Sequence, residues 1–448
     1  MPPVENETGL LEKVLVHRPG PELDAVQGGA DAAQRILVED VIDLGLAREE
    51  HDRFTDVLRA FAEPGGVVEI LDLLGDVCRD DAARRELVAA VTALEGLGVD
   101  VGKRLLAVNP AELPPVLVSG VLPPATPNAS PEYLFHPLPN LVFTRDLMAE
   151  VPGGIVLGHP AMQPRHREGL LAQYVARHPR FANTQILDIR NHMRPWQDRH
   201  FSDGRKDAAI EGGDVLVVDA KTLMVGTGER TSQMGLDYLL RELLAKGSPI
   251  ERVIEVVIPA DRASMHLDTV FTFAGDRRCL VNERLISDAT FFVRDAPFKE
   301  APAQWDFPRL LTELRLTPVV CGGTDPVVQS REQWREGANG LLVAPNVLVA
   351  YAHNTATIGE LASVGYRVIS ARDDLEGVRD LGAATRRLDV NAKQMPTVIT
   401  VPGQELVRFR GGPRCMTGPL QRRIAAPSRV IEGPKVGGVP EVTGGLAH

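Results

Sequence analysis

The segment FRGGPRCMTGPL, residues 409–420, places a single cysteine among arginines and glycines. Arg410 and Arg414 precede Cys415, and Gly411 and Gly412 allow the backbone to approach a ligand closely. A free thiol has an ordinary pKa of about 8.5, and a neighbouring guanidinium that points toward it favours the reactive thiolate. The segment therefore predicts a nucleophilic thiol, with an inert loop cysteine as the alternative.

The segment MHLDT supplies an imidazole and a carboxylate two residues apart, at His266 and Asp268. In an extended strand, residues two apart face the same side of the sheet, so both groups could enter one pocket. The apolar residues that follow favour a buried strand over a surface strand with its polar side chains outward. We therefore expect His266 and Asp268 to act together.

Carboxylates mark two further turns. Glu211 and Asp214 flank two glycines in EGGD, and two carboxylates at such a turn could grip a planar cation. Taken alone, EGGD is better explained as an ordinary acidic turn before the strand VLVV. Asp146 follows the strand-like run NLVFTRD and is, by itself, typical of a turn residue.

Together these groups indicate chemistry on a guanidinium. These segments offer one thiol in a basic loop, one histidine, several carboxylates and several arginines, but the chain shows no phosphate-binding glycine loop, clustered metal ligands or serine elbow. Two carboxylates can bind the planar fork of a guanidinium by bidentate hydrogen bonds. Attack of the thiolate on its central carbon, with histidine protonating the leaving amine, uses the whole set.

The elements that must position these groups alternate between strands and helices. Short runs rich in valine, isoleucine and leucine predict strands beginning near Lys13, Asn140, Gly153, Gly212, Thr222, His266, Gly340 and Thr397. Helical periodicity appears between them, for example from Arg230 and from Trp305, and almost throughout residues 32–98. We expect an α/β body with a helical insert, polar stretches of little periodicity at 188–209 and 371–396 (the second partly helical), and a partly disordered tail.

The whole-chain composition limits the function. A net charge of −11 over 448 residues argues against a nucleic-acid binder, which needs a basic face. Four scattered cysteines without a CxxC motif disfavour a disulfide framework or a zinc site. The start, MPPVENETG, lacks the pattern of a signal peptide, and no apolar run reaches the roughly 20 residues of a spanning helix. We therefore expect a cytoplasmic location and no membrane partner.

Eight segments, in order and over nearly the whole chain, resemble the arginine deiminase family. They are LEKVLVHRPGPEL, EEHDRF, PLPNLVFTRD, IEGGDVLVV, GTGERTS, MHLDT, REQW and RGGPRCMTGPL. The resemblance implies a five-bladed, pseudo-symmetric α/β propeller of the guanidine-modifying superfamily, with an inserted helical bundle near the N-terminus. It implies hydrolysis of L-arginine to L-citrulline and ammonia, a hydrolase reaction on the C–N bond of a linear amidine, without metal or organic cofactor.

The resemblance also implies a role for each matching residue. Cys415 would be the nucleophile that forms a covalent thiouronium intermediate, and His266 the general acid and then the base. Asp146 and Asp268 would bind the guanidinium, with Glu211 orienting His266. Asp214 would bind the amino end of the substrate, and Phe143 would line its alkyl channel. The positions that would hold the α-carboxylate and α-amino groups are Asn140, Arg165, Arg230 and Arg410.

Some alternatives stay open at this point. The motifs also suit a related guanidine enzyme, namely an amidinotransferase, an arginine dihydrolase or a deiminase of a modified arginine. A non-catalytic arginine-binding protein is a third interpretation. We expect a catalytic domain of residues 1–31 and 99–420, a helical insert of residues 32–98 and a tail of residues 421–448. The predicted partners are a small-molecule substrate and further copies of the chain.

Overall fold

The computed structural model describes residues 4–26, 37–38, 40–122, 130–193, 208–259, 264–387 and 395–423, which form a mixed α/β fold. The strands of these residues, in chain order, are β1 Leu10–Val16, β2 Val67–Glu69, β3 Val121–Leu122, β4 Glu132–Tyr133, β5 Met148–Val151, β6 Gly154–Leu157, β7 Ile186–Leu187, β8 Val215–Asp219, β9 Thr222–Thr227, β10 Arg252–Val257, β11 Phe271–Gly275, β12 Arg278–Val281, β13 Thr290–Asp295, β14 Ala303–Trp305, β15 Thr317–Val320, β16 Leu341–Ala344, β17 Val347–Tyr351, β18 Arg367–Ser370, β19 Thr397–Val401 and β20 Gly418–Arg423.

The α-helices of the same residues, in chain order, are α1 Pro21–Asp24, α2 Leu44–Phe61, α3 Ile70–Cys78, α4 Asp81–Leu94, α5 Val99–Ala107, α6 Leu113–Ser119, α7 Thr144–Leu147, α8 His166–Val175, α9 Gln233–Ala245, α10 Leu267–Val270, α11 Glu283–Ser287, α12 Phe307–Leu314, α13 Pro326–Trp334, α14 Thr355–Ser363 and α15 Leu375–Arg387. The helices predicted from Arg230 and Trp305 correspond to α9 and α12. Ser232 and Asp306 begin them as N-caps, because each side chain accepts a backbone N–H of the first turn.

Two of the predicted strands are wrong at the residues predicted to take part in the chemistry. The run from Asn140 forms a 3₁₀ helix, Pro139–Val142, and then α7. The run from His266 begins with α10, and β11 starts only at Phe271. The backbone N–H and hydroxyl of Thr269 both bind the carbonyl of His266, which closes this helical turn. Short apolar runs that are buried on all sides do not distinguish a strand from a helical turn.

Five sheets repeat one pattern of strand pairing, in which an antiparallel pair is followed by a parallel neighbour. The pattern occurs in β5-β6-β7, in β8-β9-β10 and in β11-β12-β15. It recurs in β16-β17-β19, and in β20-β1-β2, where strands from both ends of the described chain pair. The alternation of strands and helices in the sequence therefore corresponds to a structural unit that occurs five times in the described residues.

The region expected to be helical contains α2, α3 and α4, with the short strand β2 between the first two. Helix α2 buries Ala47, Phe54, Leu58 and Phe61, at three- and four-residue steps, in the same core as β1 and β17. Helices continue to Ser119 at the end of α6. The helical layer therefore packs against the sheets.

The three less regular stretches have different outcomes. Residues 189–192 of the 188–209 stretch form a 3₁₀ helix, and residues 194–207 lie outside the described part of the chain. The 371–396 stretch contains α15, as expected, while residues 388–394 are not described. Residues 421–423 of the predicted tail complete β20, and residues 424–448, including the expected disorder, also lie outside the described residues.

Candidate functional site

The predicted acidic residues, His266 and Cys415 lie in segments that lead into the first strand of a sheet. Asp146 lies in α7 before β5, while Glu211 precedes and Asp214 ends the 3₁₀ turn before β8. His266 and Asp268 lie at α10 before β11, and Cys415 lies in a turn before β20. One structural position, repeated in different sheets, therefore carries the acid, base and nucleophile candidates.

The turn that carries Cys415 is held from two sides. The backbone N–H of Arg145 donates to the carbonyl of Cys415 at 3.2 Å, and the hydroxyl of Thr144 lies within hydrogen-bond distance of Met416 O. Upstream, the carboxylate of Glu50 in α2 accepts backbone N–H groups of residues 404, 405 and 406 at 2.8–3.0 Å. Glu50 of the sequence motif EEHDRF thus anchors the loop that leads to Cys415.

The expected lowering of the thiol pKa by nearby arginines is not what the structure shows. Burial, together with the carboxylates of Asp268, Glu336 and Asp146, raises the pKa of Cys415 well above its usual range. The thiol donates to Asp268 with both oxygens at 3.7 Å. Arg410 instead stacks on the ring of Trp334 at 3.5 Å and donates to its carbonyl. Cys415 is therefore a neutral thiol in the structure.

His266 is held as a cation by carboxylates. Its Nε2 lies 2.8 Å from Oε2 of Glu211 and 3.9 Å from Oδ1 of Asp146. Burial alone would lower its pKa, but Asp146, Glu211 and Asp214 raise it to about 10. Burial also opposes ionisation of Glu211, yet the cations around it, Arg165 first, hold its pKa well below the usual range. An imidazolium is ready to give a proton at neutral pH.

Arg165 lies between the carboxylates. Its Nη1 donates to Oδ2 of Asp146 at 2.8 Å and to Oε2 of Glu211 at 2.9 Å, and its Nε donates to Glu168. Burial disfavours its charge, but these three carboxylates keep the pKa of the guanidinium above its usual value. Nη2 lies 2.9 Å from Oε2 of Glu168 in an ion pair but makes no hydrogen bond within the described residues. Arg165 is also one of the residues that line the cavity, where a bound carboxylate could accept from its guanidinium.

One cavity gathers most of the predicted residues. Those that line it are Asn140, Phe143, Asp146, Arg165, Arg230, His266, Arg410 and Cys415. Phe143 packs its ring against Gly411, where an added Cβ would come within 2.1 Å of the ring. This close approach explains the glycine in the RGGPRC segment.

Three predicted residues lie behind the cavity wall and are fully buried. Asp268 lies beneath the thiol, and Glu211 binds His266 and Arg165. Asp214 accepts the backbone N–H of Leu267 at 2.8 Å, and burial raises its pKa to about 7. Asp214 therefore supports α10 in this conformation, and its predicted contact with a substrate amino group stays a prediction.

Sequence reasoning missed Asn339 beside the nucleophile. Its Nδ2 donates to Sγ of Cys415 at 3.1 Å, and its Oδ1 accepts the backbone N–H groups of Arg414 and Cys415. It lies in the segment before β16, the position that carries site residues in the other sheets. Without the three-dimensional repeat, an asparagine in the run GANG looks like any turn residue.

Two acidic residues were also missed. Glu229, within the matched motif GTGERTS, lines the cavity together with Met162, Met265, Leu37 and Phe409. Glu336 is buried near Cys415, and burial raises its pKa to about 7. Both add acidic groups around a site suited to a cation.

The described residues hold one group of side chains close enough to bind a metal ion. Ligand atoms of Asp146, Glu211 and His266 lie within 4.8 Å of one another. Their oxygens already accept hydrogen bonds from Arg165 and His266 itself. Because Arg165 and His266 already occupy these oxygens, the group is an ion-pair cluster rather than an open metal site. Among the helices described, none combines the length and apolar character needed to cross a membrane.

Comparison with known proteins gives one consistent family. The sequence profile of the arginine deiminase family matches residues 125–422. The chain is 31% identical to the arginine deiminase of Streptococcus gordonii strain Challis, covering 94% of this chain and 98% of the relative. It is 30% identical to the arginine deiminase of Mycobacterium marinum, covering 93% and 97%.

A solved structure supports the fold. The amidinotransferase SxtG from Microseira wollei, of the saxitoxin biosynthetic pathway, matches with a TM-score of 0.50 and 13% identity, covering 94% of this chain and 97% of that one. At this identity the match concerns the fold only.

Proposed function

The chain belongs to the arginine deiminase family, and from this membership and the geometry of the cavity we propose that it hydrolyses L-arginine to L-citrulline and ammonia, with Cys415 as nucleophile. The observation that carries the proposal is the shared cavity of Cys415, His266 and Asp146. A thiol, an imidazolium and a carboxylate around one enclosed space are what guanidinium hydrolysis requires.

The first half of the reaction forms the covalent intermediate. The guanidinium binds beside Asp146 and Asp268, and its positive charge offsets the carboxylates that hold the thiol neutral. Cys415 then loses its proton to solvent, and its Sγ attacks the guanidinium carbon. His266 protonates the leaving nitrogen, and ammonia departs as the C–N bond breaks. The resulting thiouronium is a cation that the buried carboxylates stabilise electrostatically.

The second half releases the product. Neutral His266 accepts a proton from water, and the hydroxide attacks the thiouronium carbon. The tetrahedral adduct collapses with departure of the Cys415 thiolate, which leaves the ureido group of citrulline. Glu211 holds the imidazole through both steps, since its carboxylate lies 2.8 Å from Nε2.

The arginines of the cavity suit a free amino acid. Arg165 and Arg230 both line the cavity, and both lie within 4.0 Å of Glu211. Both guanidinium groups favour a substrate that carries an α-carboxylate, and Asn140 and Arg410 add polar groups there. Phe143 contributes the apolar surface for the alkyl chain. We therefore expect L-arginine to be a substrate and agmatine, which lacks the carboxylate, to be poor.

We also propose the finer architecture implied by the family. The five sheets with a shared pairing pattern would be the blades of an α/β propeller, and the pairing of β20 with β1 supports a closed ring. Residues 32–98 would be a helical insert in a catalytic body of residues 1–31 and 99–420. Homo-oligomerisation stays a prediction. A cytoplasmic location is supported by four cysteines that are all free.

Product analysis by mass spectrometry tests the proposal. Purified protein is incubated with L-arginine, agmatine or arginine derivatives, each with and without an acceptor amine. Citrulline and ammonia in equal amounts from L-arginine alone are expected. Ornithine would indicate a dihydrolase, a guanidinylated amine an amidinotransferase, and turnover of a derivative alone a different substrate. Binding of arginine without any product would favour the non-catalytic interpretation. Cys321→Ala, which changes another buried free thiol, is the matched control for Cys415→Ala.

A further inference from the structure

Glu7 is a buried carboxylate that the proposed reaction does not use. It lies in the segment before β1 and is 6% exposed. Its Oε1 accepts from Nη2 of Arg414 at 2.8 Å and from the backbone N–H of Val217 at 3.3 Å. Burial opposes its ionisation, but Arg414, Arg145 and Arg422 lower the pKa of Glu7 to about 2. It is therefore an anion at neutral pH.

Arg414 connects this carboxylate to the nucleophile. Its Nη1 donates to Oδ2 of Asp268 at 2.8 Å, while Nη2 also donates to the carbonyl of Val215. Asp268 in turn lies 3.7 Å from the thiol of Cys415. A continuous buried path of ion pairs thus runs from Glu7 through Arg414 to Asp268.

The positive charge around this path exceeds what Asp268 alone could balance. Arg145 and Arg422 are also buried near Glu7, and Nη2 of each makes no hydrogen bond within the described residues. Uncompensated buried guanidinium groups are costly, so they attract any nearby carboxylate strongly. With Glu7 neutral, Asp268 would be the main anion left for Arg145 and Arg414.

We propose that Glu7 is a positioning residue for the reaction. Its carboxylate neutralises the charge of Arg414, so that the Asp268 carboxylate remains available to the cationic substrate and to the Cys415 thiol. The inference rests on the proposed function, because it assigns Asp268 to the substrate guanidinium. It gives the N-terminal segment a role in the electrostatics of the site in addition to its place beside the sheets.

The sign of each effect follows from charge. The carboxylates that face the thiol are Asp268, Glu336 and Asp146, and they hold it protonated. Removing the Glu7 anion leaves Arg414 less compensated, which favours the thiolate and disfavours a second cation in the cavity. Removing the Arg414 cation acts in the opposite direction.

The test combines alkylation of the thiol with steady-state kinetics. The rate at which iodoacetamide modifies the Cys415 peptide is followed against pH in wild type, Glu7→Gln, Glu7→Asp and Glu5→Gln. For Glu7→Gln we expect the midpoint of alkylation to fall by about one pH unit. The KM for arginine is expected to rise about tenfold, with a smaller change in kcat. Glu7→Asp should lie between Glu7→Gln and wild type, and Glu5→Gln, a neighbouring glutamate, should match wild type.

A double variant separates charge from structure. Arg414→Gln alone should raise the alkylation midpoint, and Glu7→Gln combined with Arg414→Gln should return it toward the wild-type value. A purely structural role predicts instead that the double variant is worse than either single one, with no opposed shifts. That outcome, or a Glu7→Gln enzyme with an unchanged midpoint and KM, would overturn the proposal.

The alkylation result does not depend on turnover. If wild-type protein made no citrulline, the proposed function would fail, yet opposed midpoints in the Glu7 and Arg414 variants would still support the charge path. If citrulline formed but the midpoints did not move, only the role of Glu7 would be refuted.

Discussion

Replacing Glu211 by glutamine tests how His266 is kept protonated. The imidazole has a pKa of about 10 in the structure, against an ordinary 6.5. At about 1.36 kcal/mol for each pH unit, the surroundings favour the imidazolium by about 5 kcal/mol. Asp146, Glu211 and Asp214 supply this preference against the cost of burial. Loss of one hydrogen-bonded carboxylate should remove about 1.5–3 kcal/mol of it, or about 1–2 pH units.

The direction of the pH effect follows from the proposed role of His266 as general acid. The protonated imidazole is active, so kcat is lost as the pH rises through its pKa. In Glu211→Gln that pKa is lower, and the alkaline loss of activity should begin at a lower pH. Relative to its own value at pH 7, kcat at pH 9 should be about two- to ninefold lower than in wild type.

The assay is citrulline formation at saturating arginine across the alkaline pH range, for wild type and variant. Glu255→Gln is the matched control, because Glu255 in β10 is similarly buried and binds Arg294 at 2.7 Å, but is not among the residues that line the cavity. The Glu255→Gln variant should be less stable, but the alkaline decrease of its kcat should occur at the same pH as in wild type. If the alkaline decrease of kcat stayed at the wild-type pH in Glu211→Gln, or moved equally in Glu255→Gln, the proposed control of His266 by Glu211 would be refuted.

Three further substitutions give distinct outcomes. Cys415→Ala should abolish citrulline formation while arginine still binds by isothermal calorimetry; residual turnover near the wild-type rate would exclude the thiol as nucleophile. Asn339→Ala leaves two buried backbone N–H groups unpaired. Thermal unfolding should therefore show that the free energy of unfolding falls by about 2–4 kcal/mol, and kcat should also be lower. Unchanged stability would argue against these contacts. Gly213→Ala places a Cβ 2.8 Å from the His266 ring and 2.9 Å from Asp146. We therefore expect kcat to fall more than tenfold and the free energy of unfolding to fall by about 1–3 kcal/mol. Normal kinetics would show that the site tolerates the added methyl group.

The sequence predicts the composition of the site better than its geometry. Cys415, His266 and Asp146 are identified by their motifs, and the structure brings them to one cavity. The argument from strand alternation at His266 and Asp268 is wrong, because α10 places one residue against Glu211 and the other against Arg414. Local patterns do not reveal such a buried helical turn, since its apolar residues face protein on every side.

Long-range electrostatics could not be predicted from neighbouring residues in the sequence. Arg414 is adjacent to Cys415, yet its guanidinium binds Glu7 and Asp268 and leaves the thiol protonated. Glu7 lies more than 400 residues away along the chain. Asn339 was overlooked for a similar reason, because its importance comes from the equivalence of the segments that enter the sheets. That equivalence becomes visible only when the strand pairing is known.

Acid quenching of the enzyme during turnover of L-arginine, followed by peptide mass spectrometry, is the most direct test of covalent catalysis by Cys415. We expect a mass increase equal to arginine less ammonia on the peptide that contains Cys415, and citrulline in the same reaction. Glu211→Gln at alkaline pH, where His266 is neutral, should accumulate less of this adduct than at pH 7. Citrulline formation with no adduct on Cys415, or an adduct on Cys78, Cys279 or Cys321, would contradict the mechanism.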